Sequence, residues 1–267
     1  MITLLSALIG LLAGVHAATW GMYKDAPHEG FSRRKYARSP VLGAVLGAVV
    51  AAATGLDPRH AAGAVVLFGV VYAIERALAE IYKTFLREED QSKYFIPMQF
   101  HVLGTVVSSR PARLIAGALY TALLLGLIGF VAHLDRIAAG RYPIEIVLLV
   151  GGMGGWISAF GGAWKDAPSE GFQTLKFFRS PVLAALFAGG LAGLSDSLLL
   201  VTLAATGYTV ATTETYKTFF FPSKPRGKFA GKPVHYPEML LHRQRFVLPY
   251  AAIWAGLLLA AMEAARG

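Results

Sequence analysis

Apolar residues run in blocks long enough to cross a bilayer, with short polar stretches between them. The blocks predict eight membrane spans, at roughly 2–22, 41–56, 61–83, 112–133, 143–163, 182–195, 197–217 and 247–264. A helical run of about 20 residues rises about 30 Å, the thickness of the hydrocarbon layer. Membrane β-strands would instead alternate apolar and polar residues over about 10 positions. Spans 41–56 and 182–195 are short, which predicts tilt or extension at their ends.

The polar stretches repeat. "KDAPHEGFSRRKYARSPVL" starts at Lys24 and "KDAPSEGFQTLKFFRSPVL" at Lys165, with 13 of 19 positions identical at an offset of 141. "EIYKTF" at Glu80–Phe85 and "ETYKTF" at Glu214–Phe219 match in five of six positions at an offset of 134. Each half then reads as helix, polar phrase, helix, turn, helix ending in the second phrase, basic loop, helix. Four helices per half is an even number, so the halves share an orientation. The expectation is an all-α polytopic membrane protein. Its single domain, 1–267, comprises a four-helix repeat over 1–133 and another over 142–267. A pseudo-twofold along the membrane normal relates them. The opening segment ends in small residues like a signal peptide. It lacks a basic start, and "VLLVGGMGGWISAFGGAW" fills its place in the second half, so it reads as a retained helix. GxxxG pairs at Gly10/Gly14, Gly43/Gly47, Gly151/Gly155 and Gly189/Gly193 predict close helix packing.

Charge orients the array. Of the 25 Lys and Arg, 20 fall in 24–38, 83–113, 165–179 and 217–245, whereas Arg59, Arg136, Arg141 and Arg266 are on the other side. The positive-inside rule puts the basic side in the cytoplasm and both termini outside a cytoplasmic (inner) membrane. Only 15% of the 267 residues are charged and mean hydropathy is +0.52, so the net charge of +9 is concentrated at one membrane face. It suits anionic lipid headgroups at the inner leaflet, or a phosphorylated ligand. Nucleic acid is not expected, because no soluble domain is left to shape a groove. The absence of cysteine removes disulfides, thiolate metal sites and cysteine nucleophiles.

The repeated phrases supply the candidate chemistry. Ser39-Pro40 and Ser180-Pro181 read as a cap and first position of the second helix in each half. Before them, Arg33, Arg34, Lys35 and Arg38, or Lys176 and Arg179, alternate with aromatics as in an interfacial helix. Asp25 and Glu29, like Asp166 and Glu170, are spaced i, i+4. One reading makes each Asp the cap of a helix begun by Pro27 or Pro168, with Glu in its favourable first turn. The other lets both halves converge on one polar site of Lys24, Asp25, Glu29, Glu80, Lys83, Lys165, Asp166, Glu170, Glu214 and Lys217. Several carboxylates with lysines could hold Mg²⁺ and a phosphate. This layout resembles that of UbiA-type intramembrane prenyltransferases, in which acidic motifs in the first cytoplasmic loop of each four-helix half hold Mg²⁺ and diphosphate. Asp-x-x-x-Glu stands here where that family has Asp-x-x-x-Asp, and the family's asparagine, extra aspartate and ninth helix have no counterpart.

Within the spans, Thr202, Thr206, Thr209, Thr213 and Tyr216 share one helix face, as do Phe68, Tyr72, Glu75, Ala79 and Tyr82 at the matching positions. A carboxylate such as Glu75 is costly in hydrocarbon and faces protein or water. Arg76 is adjacent and can reach Glu80 at i+4, so one reading is a buried structural ion pair; the other is a cavity opening to the cytoplasm, lined by Tyr72, Glu75, Thr206, Thr209 and Thr213. "PRGKFAGKPV" lacks Walker A spacing and reads as a flexible basic loop. No HxxxH pair or G-x-S-x-G elbow is present, and His16 stands alone. These features favour a protein that handles a lipid or phosphorylated lipid-like molecule. A non-catalytic subunit or scaffold with basic docking loops is the next reading, and a small-molecule transporter the third.

Overall fold

The computed structural model describes residues 1–138, 142–224 and 227–266, without the side chains of residues 93, 138 and 168–170. Its helices are α1 (Ile2–Glu29), α2 (Arg33–Thr54), α3 (Ala61–Ile81), α4 (Arg110–Ala138), α5 (Ile144–Glu170), α6 (Thr174–Leu191), α7 (Leu198–Phe219), the short α8 (Met239–His242) and α9 (Val247–Ala264). A π-helical turn, Tyr82–Leu86, prolongs α3, and the loop after it holds a small hairpin of β1 (His101–Val102) and β2 (Thr105–Val106).

Among the described residues, six helical segments are long and apolar enough to span a membrane: α1, α2, α3 with its π turn, α4, α5 and the stretch from α8 through α9. The protein is thus a multi-pass helical membrane protein. The two expected spans outside this set, α6 and α7, have visible reasons to differ. α6 is 18 residues long and starts with Lys176 and Arg179 in its first turns. α7 carries seven threonines with Glu214 and Lys217, but it packs on α3, α4, α5 and α6, so protein rather than lipid surrounds much of it.

α3 and α7 meet at the centre, where a Cβ on Gly207 would lie 2.0 Å from the Gly69 carbonyl oxygen. α1 and α2 pack on one side of this pair, α5 and α6 on the other. Both flanking pairs use the same close approach. A Cβ on Gly14 would sit 2.1 Å from the Ser39 carbonyl oxygen, and one on Gly155 would sit 2.4 Å from that of Ser180. Gly193, the last member of the expected pairs, meets nothing within 4 Å. The fourth helices cross over: α4 packs on α7, and α9 on α3 and α1.

The polar phrase ends a helix rather than starting one. α1 continues through Asp25 and Pro27 to Glu29 and stops at Gly30, whose φ of 77° suits glycine. α5 stops likewise at Gly171, with φ 74°. Pro27 cannot donate to the Tyr23 carbonyl, and Arg243 Nη1 donates there instead, at 3.0 Å. The capping reading of Asp25 is therefore overturned. Asp25 and Glu29 lie at a helix C-terminus, where the backbone dipole disfavours an anion by about 0.3–1 kcal/mol. Ser39-Pro40 and Ser180-Pro181 are also not helix starts. α2 is capped by Ser32, whose Oγ accepts from the Lys35 amide, and both prolines lie inside their helices. The basic segments before them are the first turns of α2 and α6.

Candidate functional site

Carboxylates placed at helix C-termini need cations, and the two halves exchange them. Lys24 at the end of α1 donates to Glu214 of α7 at 2.8 Å. At the matching positions, Lys165 at the end of α5 donates to Glu80 of α3. Each glutamate also faces the lysine one turn on: Lys83 donates to Glu80 at 2.6 Å and Lys217 to Glu214 at 3.4 Å. Asp166 pairs with Lys176 at 3.1 Å and Lys217 at 3.6 Å. Two further contacts match across the halves. The Arg38 guanidinium lies 5.7 Å from the Tyr82 ring centre, and that of Arg179 lies 5.8 Å from Tyr216.

Asp25 and Glu29 find their cation elsewhere. Lys228 reaches Asp25 at 3.1 Å and Glu29 at 2.9 Å. It belongs to the segment expected to be a flexible basic loop. In the structure Gly227–Phe229 is a docked 3-10 turn, with Phe229 buried and stacked on His28 at 4.2 Å. Burial alone would push the Lys228 ammonium down, but Asp25 and Glu29 outweigh it and hold it above the usual lysine range. Gly227 also lies against Asp166, so this turn joins the polar phrases of the two halves.

These groups rim one cavity of about 890 Å³. Of the expected site residues, Lys24, Asp25, Glu29, Glu80, Lys83, Lys165, Asp166, Glu214 and Lys217 line it, and the Glu170 side chain lies outside the described residues. Its described lining includes eleven Lys and Arg against five Asp and Glu, so the mouth carries a surplus of positive charge. Below the mouth the wall turns apolar. Leu124, Ile128 and Val131 of α4 face Met153 and Ile157 of α5, with Leu199 and Leu203 of α7 at the far end. From Lys217 to Leu199 the cavity follows α7 for about 27 Å at 1.5 Å per residue. Asp135 closes the far end. It accepts from Ser197 Oγ at 2.6 Å and from the amides of Leu198 and Leu199 at 2.6 and 3.0 Å, tying α4 to the start of α7.

The matched positions of the first half carry larger side chains, although Ala17, Trp20, Ala73 and Ile74 also line the same cavity. His16 stands where the second half has Ile157, Trp20 where it has Gly161, Phe68 where it has Thr202, and Tyr72 where it has Thr206. His16 stacks on Tyr250 at 4.2 Å and meets Trp254 edge-on at 5.2 Å. Tyr72 Oη accepts from Trp20 Nε1 at 2.7 Å and lies 3.2 Å from His16 Nδ1.

The expected cavity wall is thereby corrected. Thr206 and Thr213 line the cavity, but Tyr72, Glu75 and Thr209 do not. Tyr72 fills the aromatic cluster, and the Thr209 hydroxyl turns back to the Ala205 carbonyl at 2.8 Å. Glu75 is 1% exposed and takes Arg76 Nη2 at 2.7 Å, so Arg76 serves Glu75 and not Glu80. Nor do the carboxylates gather as a metal site: among the described residues no three His, Cys, Asp or Glu side chains converge. Lysines separate them, so the donor set does not fit Mg²⁺.

Four features escaped the sequence reading: Lys228, Asp135, Arg243 and the aromatic cluster. A search of α9 for aromatics one turn apart, Tyr250 and Trp254, could have flagged the last of these. Comparison of the chain with protein-family models, curated proteins and solved structures finds no match.

Proposed function

We propose that the protein binds an anionic, phosphate-bearing lipid, with its chain in the α4–α5–α7 chamber and its head in the second-half arm of the basic mouth, at Lys165 and Arg179. The observation that carries this reading is the cavity itself, long and apolar below and rich in Lys and Arg at one end. A hydrocarbon tail removes apolar wall from solvent, and a phosphate matches arginine forks and ammonium groups. In this reading α6 and α7 also cross the membrane, which makes eight spans, and the halves are parallel repeats about a pseudo-twofold. The reciprocal pairs Lys24–Glu214 and Lys165–Glu80 support the symmetry. The basic end is cytoplasmic, at the inner leaflet of a cytoplasmic membrane, with both termini outside, as the Lys and Arg distribution favours.

The test is lipid extraction and mass spectrometry of purified protein. Wild type should carry an anionic lipid. Gly161→Trp combined with Thr121→Trp should lose it while remaining folded, because a Cβ on Gly161 meets nothing within 4 Å. Wild type free of lipid, or a double variant that retains it, would refute the reading. Orientation is separable: single cysteines placed at Arg136 and Lys232 of this cysteine-free chain should label from opposite sides.

A further inference from the structure

The charged mouth is doubled, but the matched positions beneath its two arms differ. Lys24 and Arg38 of the first half match Lys165 and Arg179 of the second, and all four line the cavity. Beneath Lys165 and Arg179 lies the chamber. Beneath Lys24 and Arg38 lie Trp20 and the buried Tyr72, where the second half has Gly161 and Thr206. From this mismatch we infer that the first-half arm of the mouth is a second anion site, for a small, water-soluble phosphorylated compound. The inference rests on the lipid reading of the chamber.

The charges of this arm are set for an external anion. Its carboxylates Asp25 and Glu29 are neutralised by Lys228, while Lys24 is committed to Glu214. Arg38 is exposed and makes no ion pair among the described residues. Lys35 beside it is 59% exposed and only 3.8 Å from Glu89. Arg38 and Lys35 remain as donors for a phosphate, and the planar guanidinium of Arg38 can grip two of its oxygens. The Ser39 and Tyr36 hydroxyls on the same wall are already engaged, by Arg76 at 3.4 Å and Thr19 at 3.0 Å. Trp20 and Tyr72 fill space that Gly161 and Thr206 leave open in the second half, so this arm suits a compact ligand.

The experiment titrates inorganic phosphate into lipid-loaded protein in neutral detergent, read by calorimetry with bound lipid quantified in parallel. Wild type should bind phosphate with its lipid in place. Arg38→Gln should weaken phosphate binding about tenfold or more and leave bound lipid unchanged. Arg179→Gln should do the reverse, lowering bound lipid and sparing phosphate. Because Arg38 is exposed, its loss should leave the fold intact, and size-exclusion chromatography checks this. Phosphate that binds only after lipid is stripped would mean a single headgroup site and overturn the inference. So would equal binding by wild type and Arg38→Gln, or no binding by either. Wild type without lipid would refute the lipid reading itself, a result distinguishable from lipid-loaded protein that ignores phosphate.

Discussion

The two helix junctions beside α3 and α7 start from near-identical phrases and end with opposite interiors. One, where α9 meets α1 and α3, is packed with His16, Phe68, Tyr72, Tyr250 and Trp254. The other, where α4 meets α7 opposite α5, is hollow and lined by small and aliphatic side chains at the matched positions. The polar rim, by contrast, keeps matched pairs, Lys24–Glu214 with Lys165–Glu80 and Lys217–Glu214 with Lys83–Glu80. Rim groups hold helix ends together in both halves, so changing either set costs ion pairs. Interior residues are free to diverge once one junction alone is enough to fasten the halves.

Unequal packing predicts unequal costs of truncation. Tyr72→Ala removes a fully buried ring and two hydrogen-bond partners, and should cost about 3–5 kcal/mol. Leu203→Ala, on the chamber wall, should cost about 2 kcal/mol or less, because the chamber already exists there. Unfolding of both variants in mixed micelles checks the ranking, and equal losses would break the comparison.

The shared rim sharpens it. Glu214→Gln leaves Lys24 without its anion and Lys217 with Asp166 alone, where the Glu214 side chain is 15% exposed, and should cost up to about 3 kcal/mol. Glu80→Gln removes the same pairs where the side chain is 40% exposed, and should cost about 1 kcal/mol or less after screening by water. The same unfolding assay decides, and a larger loss at Glu80 would reverse the burial argument.

Much of this was legible in the chain. The repeat placed Lys24, Glu80, Lys165 and Glu214 at one membrane face, and the structure brings all four to one rim. What sequence could not show was direction. Pro27 looked like a helix starter because its cost inside a helix is usually prohibitive, and it is tolerated because Arg243, 216 positions away, satisfies the Tyr23 carbonyl. Lys228 was misread for a related reason. Its partners Asp25 and Glu29 lie about 200 positions away, and a local reading of "RGKF" contains nothing that shows them. The hollow was half visible. The threonine stripe was noticed, but its meaning depended on Tyr250 and Trp254 of a distant helix filling the other side.

Acid should separate the halves by the smallest margin. Trp164, at the end of α5, is stacked on His101 at 4.0 Å, while Tyr23 at the matching place lies under Arg243, whose guanidinium is 4.3 Å from its ring centre. Burial lowers the His101 pKa, and the Lys165 ammonium adds to the effect. Below the unfolded value of 6.5 the unfolded chain therefore binds more protons, so stability is present above that pH and is lost as pH falls through it. Amide protection factors in the 87–108 loop, which correct for slower intrinsic exchange in acid, should fall between pH 7.5 and 5.5, His101→Phe should remove that fall, and an unchanged profile in wild type would contradict it.

The central claim is that one junction, and only one, holds a lipid chain. Its most direct test is a photoreactive anionic lipid with the label on its tail, added at one equivalent to detergent-solubilised protein and mapped by peptide mass spectrometry. The predicted adducts fall on the chamber wall, at Leu124, Ile128, Ile157 and Leu203. Adducts spread equally over α1 and α9, or confined to the outer faces of α2 and α6, would contradict it.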